Sequence, residues 1–238
     1  MQNLNFKKLK IEFYLKIVKI KNLKIIKLDS HNFCEATSEA VKILKSGGIV
    51  AHPTDTVWGL ACDAANPKAI RKIHALKNSD PAKPLLLNLP SKNYLGKIGR
   101  KLCRAKILAR EFWPGSLSLL VAAKLTPEIS RKLTPEISRG KSKIGVRFPD
   151  HRLSNALAKK FGAPLITTSA NLSERKVAKN ASDVAKIFGN KIDLILDDGS
   201  ESKNLPSTLV DVSGSEVKLI REGAIPFKKI LRTLSSHL

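Results

Sequence analysis

The chain has 238 residues, of which 42% are hydrophobic and 26% are charged, and its formal net charge at pH 7 is +23. These proportions are typical of a soluble globular domain and exclude a chain that is disordered throughout, while no apolar run reaches the roughly 18 residues of a membrane-spanning helix. The three cysteines are far apart and form no CxxC pair, so the sequence predicts reduced thiols and a cytoplasmic protein without a zinc site.

The excess positive charge has two interpretations. It can attract polyanions such as nucleotides, pyrophosphate or RNA. It can also reflect a general compositional bias, because lysine supplies far more of it than arginine, and isoleucine and asparagine are plentiful too. The net charge therefore does not by itself select a function.

The N-terminal segment, residues 1–30, differs from the rest of the chain. It carries eight lysines and two acidic residues and contains no glycine or proline. The lysines recur every few positions, which excludes a spanning helix or a secretory signal in this segment. We expect a basic extension that either pairs as an edge strand or stays separate, followed by one domain over residues 31–238.

From residue 33 onward the apolar pattern is regular. Helical spacing predicts a helix over residues 33–44, which Gly47 and Gly48 end. Asn66 and Pro67 begin a second helix as its cap and its first-turn proline. Short apolar runs then alternate with helical patterns, which predicts an α/β (α+β) fold, and a late hairpin adds antiparallel strands. The other predicted elements are strands at 49–51, 57–61, 85–87, 117–122, 144–148, 165–167, 194–196, 209–210 and 217–220, and helices at 101–112, 153–161, 181–188 and from 227.

One segment is duplicated in tandem. The sequence LTPEISR occupies residues 125–131 and recurs at residues 133–139. A solenoid needs several stacked repeats, so a single duplication of this length indicates a tolerant surface loop or helix end.

The sequence lacks the common nucleotide-binding and hydrolase motifs, namely GxxxxGK[ST], GxGxxG, HExxH and GxSxG. Polar clusters instead follow or flank the predicted strands, where open α/β sheets place their ligands. Each cluster alone is compatible with a hydrogen-bonded turn or a solvated loop, but together they indicate one cationic cleft. The clusters are residues 52–60, 77–84, 144–149, 167–171, and 206–208 with Arg221.

Arg147 is the most informative of these residues because it lies between apolar neighbours in a predicted strand. A buried arginine needs an anionic partner, since leaving it unpaired costs several kcal/mol. That partner is either the carboxylate or phosphate of a ligand or a structural aspartate.

The polar clusters resemble, in order, the motifs of the YrdC-like domain of threonylcarbamoyl-AMP synthases. The resemblance covers about residues 34–225 and is closest to the short, single-domain bacterial form. Seven motifs in one order are specific even though each is short. They are GGIVAHPTDTVWGL at 47–60, the Lys77 loop, FWPG at 112–115, VRFPDH at 146–151, SAN at 169–171, PSTLVD at 206–211 and IREG at 220–223.

The resemblance implies a twisted mixed sheet, flanked by helices, around a concave basic site. It implies synthesis of threonylcarbamoyl-AMP and pyrophosphate from L-threonine, bicarbonate or CO2, and ATP with Mg²⁺. The product would pass to a tRNA threonylcarbamoyl-transferase complex that modifies adenosine 37 of tRNA. No nucleophile or base is implied, and Lys77 and Arg147 are the main electrostatic groups. The implied threonine ligands are Thr56, Asn88, Arg147 and Ser207, and the implied ATP ligands are Lys77, Ser79, Lys83, Lys143, Thr167, Ser169, Asn171 and Arg221.

The chain departs from the family pattern at three positions. Ser79 stands where many members have an arginine on the ATP phosphates, Val177 stands where a serine is expected, and Asn88 stands where some relatives have histidine. Lys83 or Lys77 would compensate for the missing arginine, and a weakened or altered activity is the alternative left open.

Two other functions remain open at this point. One is a tRNA- or double-stranded-RNA-binding protein without catalysis, which the charge favours, although only 5% of the residues are aromatic and stacking on RNA bases uses aromatic side chains. The other is the carbamoyl-transferring domain that the same fold forms inside hydrogenase-maturation proteins, whose acylphosphatase and zinc-finger parts have no counterpart in the sequence.

Overall fold

The computed structural model describes residues 17–20, 23–81, 85–124, 126, 133, 137, 143–203 and 205–237. The described strands form one mixed sheet in the order β1-β2-β10-β3-β4-β9-β5-β8-β7-β11-β12, and β6 pairs with β7 outside this path. The strands are β1 (Ile17–Ile20), β2 (Leu23–Lys27), β3 (Val50–His52), β4 (Gly59–Asp63), β5 (Leu86–Asn88), β6 (Gly99–Arg100), β7 (Leu117–Ala123), β8 (Lys143–Arg147), β9 (Leu165–Ser169), β10 (Leu194–Asp197), β11 (Thr208–Asp211) and β12 (Lys218–Arg221).

The helices flank this sheet. They are α1 (Phe33–Lys45), α2 (Pro67–Lys77), α3 (Leu95–Ile98), α4 (Cys103–Phe112), α5 (Arg152–Phe161), α6 (Ala181–Phe188) and α7 (Phe227–Ser235), with single 3₁₀ turns at Lys92–Tyr94 and Gly189–Lys191. Parallel pairs such as β5 with β8 alternate with antiparallel pairs such as β7 with β8. The predicted fold class, a mixed sheet flanked by helices, is confirmed. None of the described helices combines the length and apolar character needed to cross a bilayer.

Local signals place the helix ends as expected. Asn66 caps α2, because its Oδ1 accepts from the backbone N–H groups of Lys68 and Ala69 at 3.0 and 3.1 Å, and Pro67 follows at the first helical position. Asn78 ends the same helix in the left-handed region at φ 52°.

The sheet includes residues from the basic N-terminal segment, for which pairing as an edge strand is one of the two expected arrangements. Strand β2 pairs in parallel with β10, and β1 adds an antiparallel strand at the edge. Leu23 and Ile26 of β2 are buried in the hydrophobic core. These contacts extend the sheet beyond the boundary expected at residue 30, while residues 1–16 lie outside the described part.

Two hydrophobic clusters pack on opposite faces of the sheet. The larger one takes Val146 from β8, Ile166 from β9 and Leu119 from β7, together with side chains of α2, α4 and α6. The smaller one lies under α1 and α5, and it takes Leu165 from β9, the neighbour of Ile166. Because successive strand residues point to opposite faces, the two clusters belong to different faces. Among the described strands, the smaller cluster does not reach β5, β8, β7 or β11.

A buried polar contact joins the end of β3 to α5. His52 Nδ1 lies 2.9 Å from the carbonyl oxygen of Pro53 and 3.1 Å from Ser154 Oγ. Burial lowers the pKa of His52 to about 4, and the hydrogen bond to Pro53 opposes this shift only in part. His52 is therefore neutral in the folded protein at neutral pH.

Most of the duplicated segment lies outside the described residues. Leu133 and Ile137, both in the second copy, are described and are buried in the larger cluster. The second copy therefore supplies core contacts, and the expectation of a purely surface segment does not hold for these two side chains.

We expect that deletion of residues 125–132 leaves a soluble, folded protein, because the second copy still supplies Leu133 and Ile137 to the core. In that deletion variant, Leu133→Ala is expected to lower the free energy of unfolding by about 2–5 kcal/mol, the usual cost of a truncated core leucine. Urea unfolding measures both values. Loss of soluble protein on the deletion alone would contradict the expectation.

Stability is expected to fall as the pH falls from 6.5 towards 4, because in this window the unfolded chain protonates His52 and the native state does not. The pKa shift of His52 accounts for roughly 3 kcal/mol of the free energy of unfolding, at about 1.4 kcal/mol per pKa unit. Urea unfolding at several pH values tests this, with His52→Asn expected to make the profile less steep and His237→Asn, on the exposed surface, as the control; burial also lowers the pKa of His151, which contributes in the same window. Parallel profiles for wild type and His52→Asn would exclude this role.

Candidate active site

The central strands carry polar residues on the face opposite the larger core. The register places Asn88 of β5 beside Arg147 of β8, and Arg147 beside Ser118 of β7. Directly paired residues project from the same face, and Val146, next to Arg147, points into the larger core on the other face. The three polar side chains therefore form a row on the face that the smaller cluster leaves uncovered.

Three predicted ATP ligands lie on this same face. Thr167 of β9 pairs with Leu86, and Leu86 pairs with Gly145, two residues before Arg147. Alternation then adds Lys143 and Ser169 to the face of Arg147. The structure thus brings three of the eight predicted ATP ligands to the face that carries Arg147. Lys143 and Arg147 lie at opposite ends of β8, roughly 13 Å apart at 3.3 Å per residue.

Arg147 is nearly buried and makes three hydrogen bonds. Its Nη2 donates to Asp55 Oδ1 at 2.6 Å, its Nη1 donates to Thr56 Oγ1 at 2.9 Å, and its Nε donates to the carbonyl oxygen of Gly115 at 3.1 Å. The side chains of Arg147 and Asp55 are 12% and 6% exposed. Burial lowers the pKa of Arg147, and the charge and hydrogen bond of Asp55 oppose that shift. Of the two partners left open by the sequence, the structural aspartate is the one observed.

The turn that carries Asp55 and Thr56 is fixed by its own hydroxyls. Thr54 Oγ1 accepts from the backbone N–H groups of Thr56 and Val57 at 3.1 and 3.2 Å and donates to the carbonyl oxygen of Val57 at 2.7 Å. A threonine at the start of such a turn commonly makes these bonds.

A second segment, residues 200–203, also holds this turn in place through hydrogen bonds. The indole N–H of Trp58 donates to the carbonyl oxygen of Ser200, and the backbone N–H of Lys203 donates to the carbonyl oxygen of Thr56. Trp58 is buried beneath these contacts. The turn is therefore held against Arg147 from both sides.

Ser207 and Arg221 extend the row towards the sheet edge. Ser207 Oγ lies 2.8 Å from Ser118 Oγ, and Arg221 donates from Nε and Nη2 to the carbonyl oxygen of Ser207 at 3.2 and 2.9 Å. Burial lowers the pKa of Arg221, and the positive charge of Arg147 lowers it further. The register places Arg221 on the same face as Ser118 and Arg147, so both guanidinium groups add positive charge to this face, which suits an anionic ligand.

Lys77 orders the loop that follows β9. Its Nζ donates to the carbonyl oxygens of Ser169 and Asn171 and to Asn171 Oδ1, the last at 3.0 Å. Ser169 Oγ also donates to Asn171 Oδ1, at 2.7 Å. Lys77 is buried although the sequence places it in a cationic loop. The three residues form one unit beside the polar face.

The other predicted ligands have different surroundings. Ser79 Oγ lies 2.9 Å from His74 Nδ1, and Lys143 Nζ donates to Asp211 Oδ2 at 2.7 Å. Burial raises the pKa of Asp211, but hydrogen bonds from Lys143 and Ser213 lower it more, so the net shift is downward. Lys83 lies outside the described residues.

Two buried polar atoms on the polar face have no hydrogen-bond partner among the described residues. They are Asn88 Oδ1 and Thr167 Oγ1. Asn88 Nδ2 does donate, to the carbonyl oxygen of Ser154 at 3.3 Å. Because buried polar atoms are nearly always paired, these two atoms suit a ligand that supplies a donor.

Asp55, Ser116 and Ser118 are site residues that sequence reasoning did not select. Asp55 lay inside a recognised polar cluster, and its position between two threonines was the available signal. The serines gave no signal, because only contacts between distant segments bring Ser118 beside Arg147 and Ser207 and bring Ser116 to Asp55. Among the described residues, no group of three or more His, Cys, Asp or Glu side chains could hold a metal ion.

Comparison with known proteins identifies the family of the chain. Residues 42–223 match the model of the Sua5/YciO/YrdC proteins, a family described as "Telomere recombination". The chain is 35% identical to a threonylcarbamoyl-AMP synthase of Chromohalobacter salexigens over 182 residues, which are 75% of this chain and 94% of that protein. It is 32% identical over 197 residues to the threonylcarbamoyl-AMP synthase of Bacillus subtilis, covering 81% of this chain and 55% of that one.

A solved structure of a similar protein has the same fold. The chain superposes on P. abyssi Sua5, crystallised in complex with L-threonine, with a TM-score of 0.80 at 27% sequence identity, over 88% of this chain and 60% of that chain. This chain thus spans little more than half of the B. subtilis and P. abyssi proteins and nearly all of the C. salexigens protein. The matched motifs, the fold and the sequence identity together show that the chain belongs to the Sua5/YciO/YrdC family.

Proposed function

We propose that the protein is a threonylcarbamoyl-AMP synthase, which makes threonylcarbamoyl-AMP and pyrophosphate from L-threonine, bicarbonate or CO2, and ATP. The relatives from C. salexigens and B. subtilis carry this name, and the similar P. abyssi protein binds L-threonine. The observation that carries the proposal is the nearly buried fork of Arg147, held on the polar face by Asp55 and Thr56.

The threonine subsite is proposed at Arg147. A guanidinium has five N–H donors, and the protein uses three of them here. The other two suit a carboxylate, which a planar fork can bind with two hydrogen bonds. Thr56 and Ser207 lie at the edges of this position, and the unpartnered Asn88 Oδ1 would accept a hydrogen bond from the hydroxyl or amine of threonine.

The ATP subsite is proposed along the rest of the same face. Lys143, Thr167, Ser169 and Arg221 would line it, and the unpartnered Thr167 Oγ1 suits a ligand donor. Lys77 and Asn171 would shape the loop beside the phosphates, and Ser79 and Lys83 complete the set implied by the motifs. The site residues offer no cage of carboxylates, so any Mg²⁺ would be held mainly by the phosphates, as this ion commonly is.

The chemistry needs positioning and charge more than a nucleophile. The ammonium group of threonine and bicarbonate give a carbamate, a water molecule and a proton. A carbamate oxygen then forms a bond to the α-phosphorus of ATP, and the bond from that phosphorus to the bridging oxygen breaks, so that pyrophosphate leaves with the electron pair. Both reactants are anionic, so fixed cations lower the barrier by neutralising charge and by orienting the groups.

The partners of the reaction are proposed on chemical grounds. The product is a reactive mixed anhydride, so it would pass to a tRNA threonylcarbamoyl-transferase complex, and ATP and tRNA make the cytoplasm the expected location. The charge of +23 would assist tRNA or double-stranded-RNA binding. A binding protein without catalysis is not favoured, because the relatives are named as synthases.

Arg147→Lys is expected to lower kcat/KM for threonine by roughly 30- to 1,000-fold, equivalent to about 2–4 kcal/mol, because lysine keeps the charge but cannot form the fork. Arg147→Ala is less suitable, since it leaves Asp55 buried without its counter-ion, which costs about 3–5 kcal/mol of stability. Threonine-dependent release of pyrophosphate from ATP measures the rate.

The control for this experiment is Arg232→Lys, which makes the same change on the exposed surface of α7 and is expected to keep full activity. Thermal unfolding confirms that each variant is folded. A folded Arg147→Lys protein with wild-type kcat/KM contradicts the proposed threonine subsite.

Lys77→Met is expected to raise KM for ATP by at least about 10-fold, because the variant keeps the side-chain length but removes charge-assisted hydrogen bonds, each of which stabilises by roughly 1.5–3 kcal/mol. It should also increase amide hydrogen exchange at residues 169–171, because the carbonyl oxygens of Ser169 and Asn171 lose their donor. Lys72→Met, on the exposed side of the same helix, is the matched control. Unchanged exchange and unchanged KM would rule out this role for Lys77.

A further inference from the structure

Asp55 is an acidic side chain directly beside the proposed threonine subsite, and the reaction as proposed gives it no task. As a whole residue, Asp55 is 8% exposed. Its carboxylate accepts two hydrogen bonds, one from Arg147 Nη2 and one from Ser116 Oγ, the latter at 3.1 Å. An ionised carboxylate has about four acceptor positions. Asp55 can therefore bind another donor without releasing Arg147.

The ion pair also selects among ligands. A ligand that brings only a carboxylate to Arg147 meets the negative charge of Asp55, and like charges at this distance repel strongly in a nearly buried site. A ligand that also carries an ammonium group, one carbon away from its carboxylate, matches both charges of the pair. An α-amino acid has this arrangement, with its own positive and negative groups side by side.

We infer that Asp55 binds the α-ammonium group of the substrate while Arg147 binds its carboxylate, so that the pair selects α-amino acids over acids that lack the amine. This inference rests on the proposed function, because it places threonine at Arg147. It assigns Asp55 to substrate binding. A purely structural Asp55 would only orient Arg147, and the two roles differ in how they treat a ligand without an amine.

The test compares L-threonine with 3-hydroxybutanoate, which has the same carboxylate, hydroxyl and methyl groups but no amine. Dissociation constants of both ligands are measured by calorimetry for the wild-type protein and for Asp55→Asn. Asp150→Asn is the control, because it removes an exposed acidic charge three residues from Arg147 that does not contact the guanidinium.

We expect wild type to bind threonine at least about 10-fold more tightly than 3-hydroxybutanoate. Asp55→Asn should weaken threonine binding by roughly 10- to 100-fold, the usual effect of losing a charge-assisted hydrogen bond. The same change should leave 3-hydroxybutanoate binding unchanged or make it tighter, because a competing anion has gone. Equal weakening of both ligands, or no change in either, would overturn the inference.

Removing Asp55 leaves Arg147 without its counter-ion, so Asp55→Asn can fail to fold. In that case the wild-type comparison decides, because equal affinities for the two ligands overturn the inference without any variant. Asp55→Glu, which keeps the charge, should retain the preference for threonine, and loss of that preference in folded Asp55→Glu counts against the inference.

Pyrophosphate release separates this inference from the proposed function. If wild type binds threonine in preference to 3-hydroxybutanoate but releases no threonine-dependent pyrophosphate, the proposed function fails and the role of Asp55 stands. If pyrophosphate is released but the preference does not depend on Asp55, only the inference fails.

Discussion

The nearly buried ion pair between Arg147 and Asp55 is the interaction on which the arrangement of the polar face depends. Burying either charge alone is costly, and removing one partner of such a pair typically costs about 3–5 kcal/mol. The pair joins β8 to a turn 92 residues earlier in the chain. It therefore fixes the position of Thr56 as well, because Thr56 accepts from the same guanidinium. A change in the turn and a change in the strand should consequently both alter the positions of Arg147 and Thr56.

The sheet provides this pair with its surroundings. The larger hydrophobic core covers one face from β2 to β11, whereas α1 and α5 cover only part of the other. The uncovered strands would expose apolar side chains if they continued the core pattern, and they carry Asn88, Ser118 and Arg147 there instead. The same alternation that builds the core thus produces a polar row directly behind it, on strands that packing holds rigid.

Local patterns predicted the elements well and the contacts poorly. The helix at 181–188 and the cap at Asn66 follow from spacing and capping chemistry, which act within a few residues. Strand β2 was harder to predict, because Lys24 and Lys27 interrupt its apolar pattern, although Leu23 and Ile26 are buried. Strand order, and with it the meeting of Ser118 with Ser207, depends on pairing between distant segments, which no local pattern encodes.

Each predicted cation of the site that the structure describes already has an acceptor within the protein. Arg147 has Asp55, Lys143 has Asp211, Arg221 has the carbonyl oxygen of Ser207, and Lys77 has the loop after β9. Substrate contacts would therefore add to these bonds or replace them. Only the difference in free energy between the new contacts and the bonds that they replace would appear as affinity. Such a site gains less from binding its substrates than a site of unpaired charges, but it holds its cations in place beforehand. For a reaction limited by orientation and by repulsion between anions, this preorganisation lowers the barrier where tighter substrate binding alone would not.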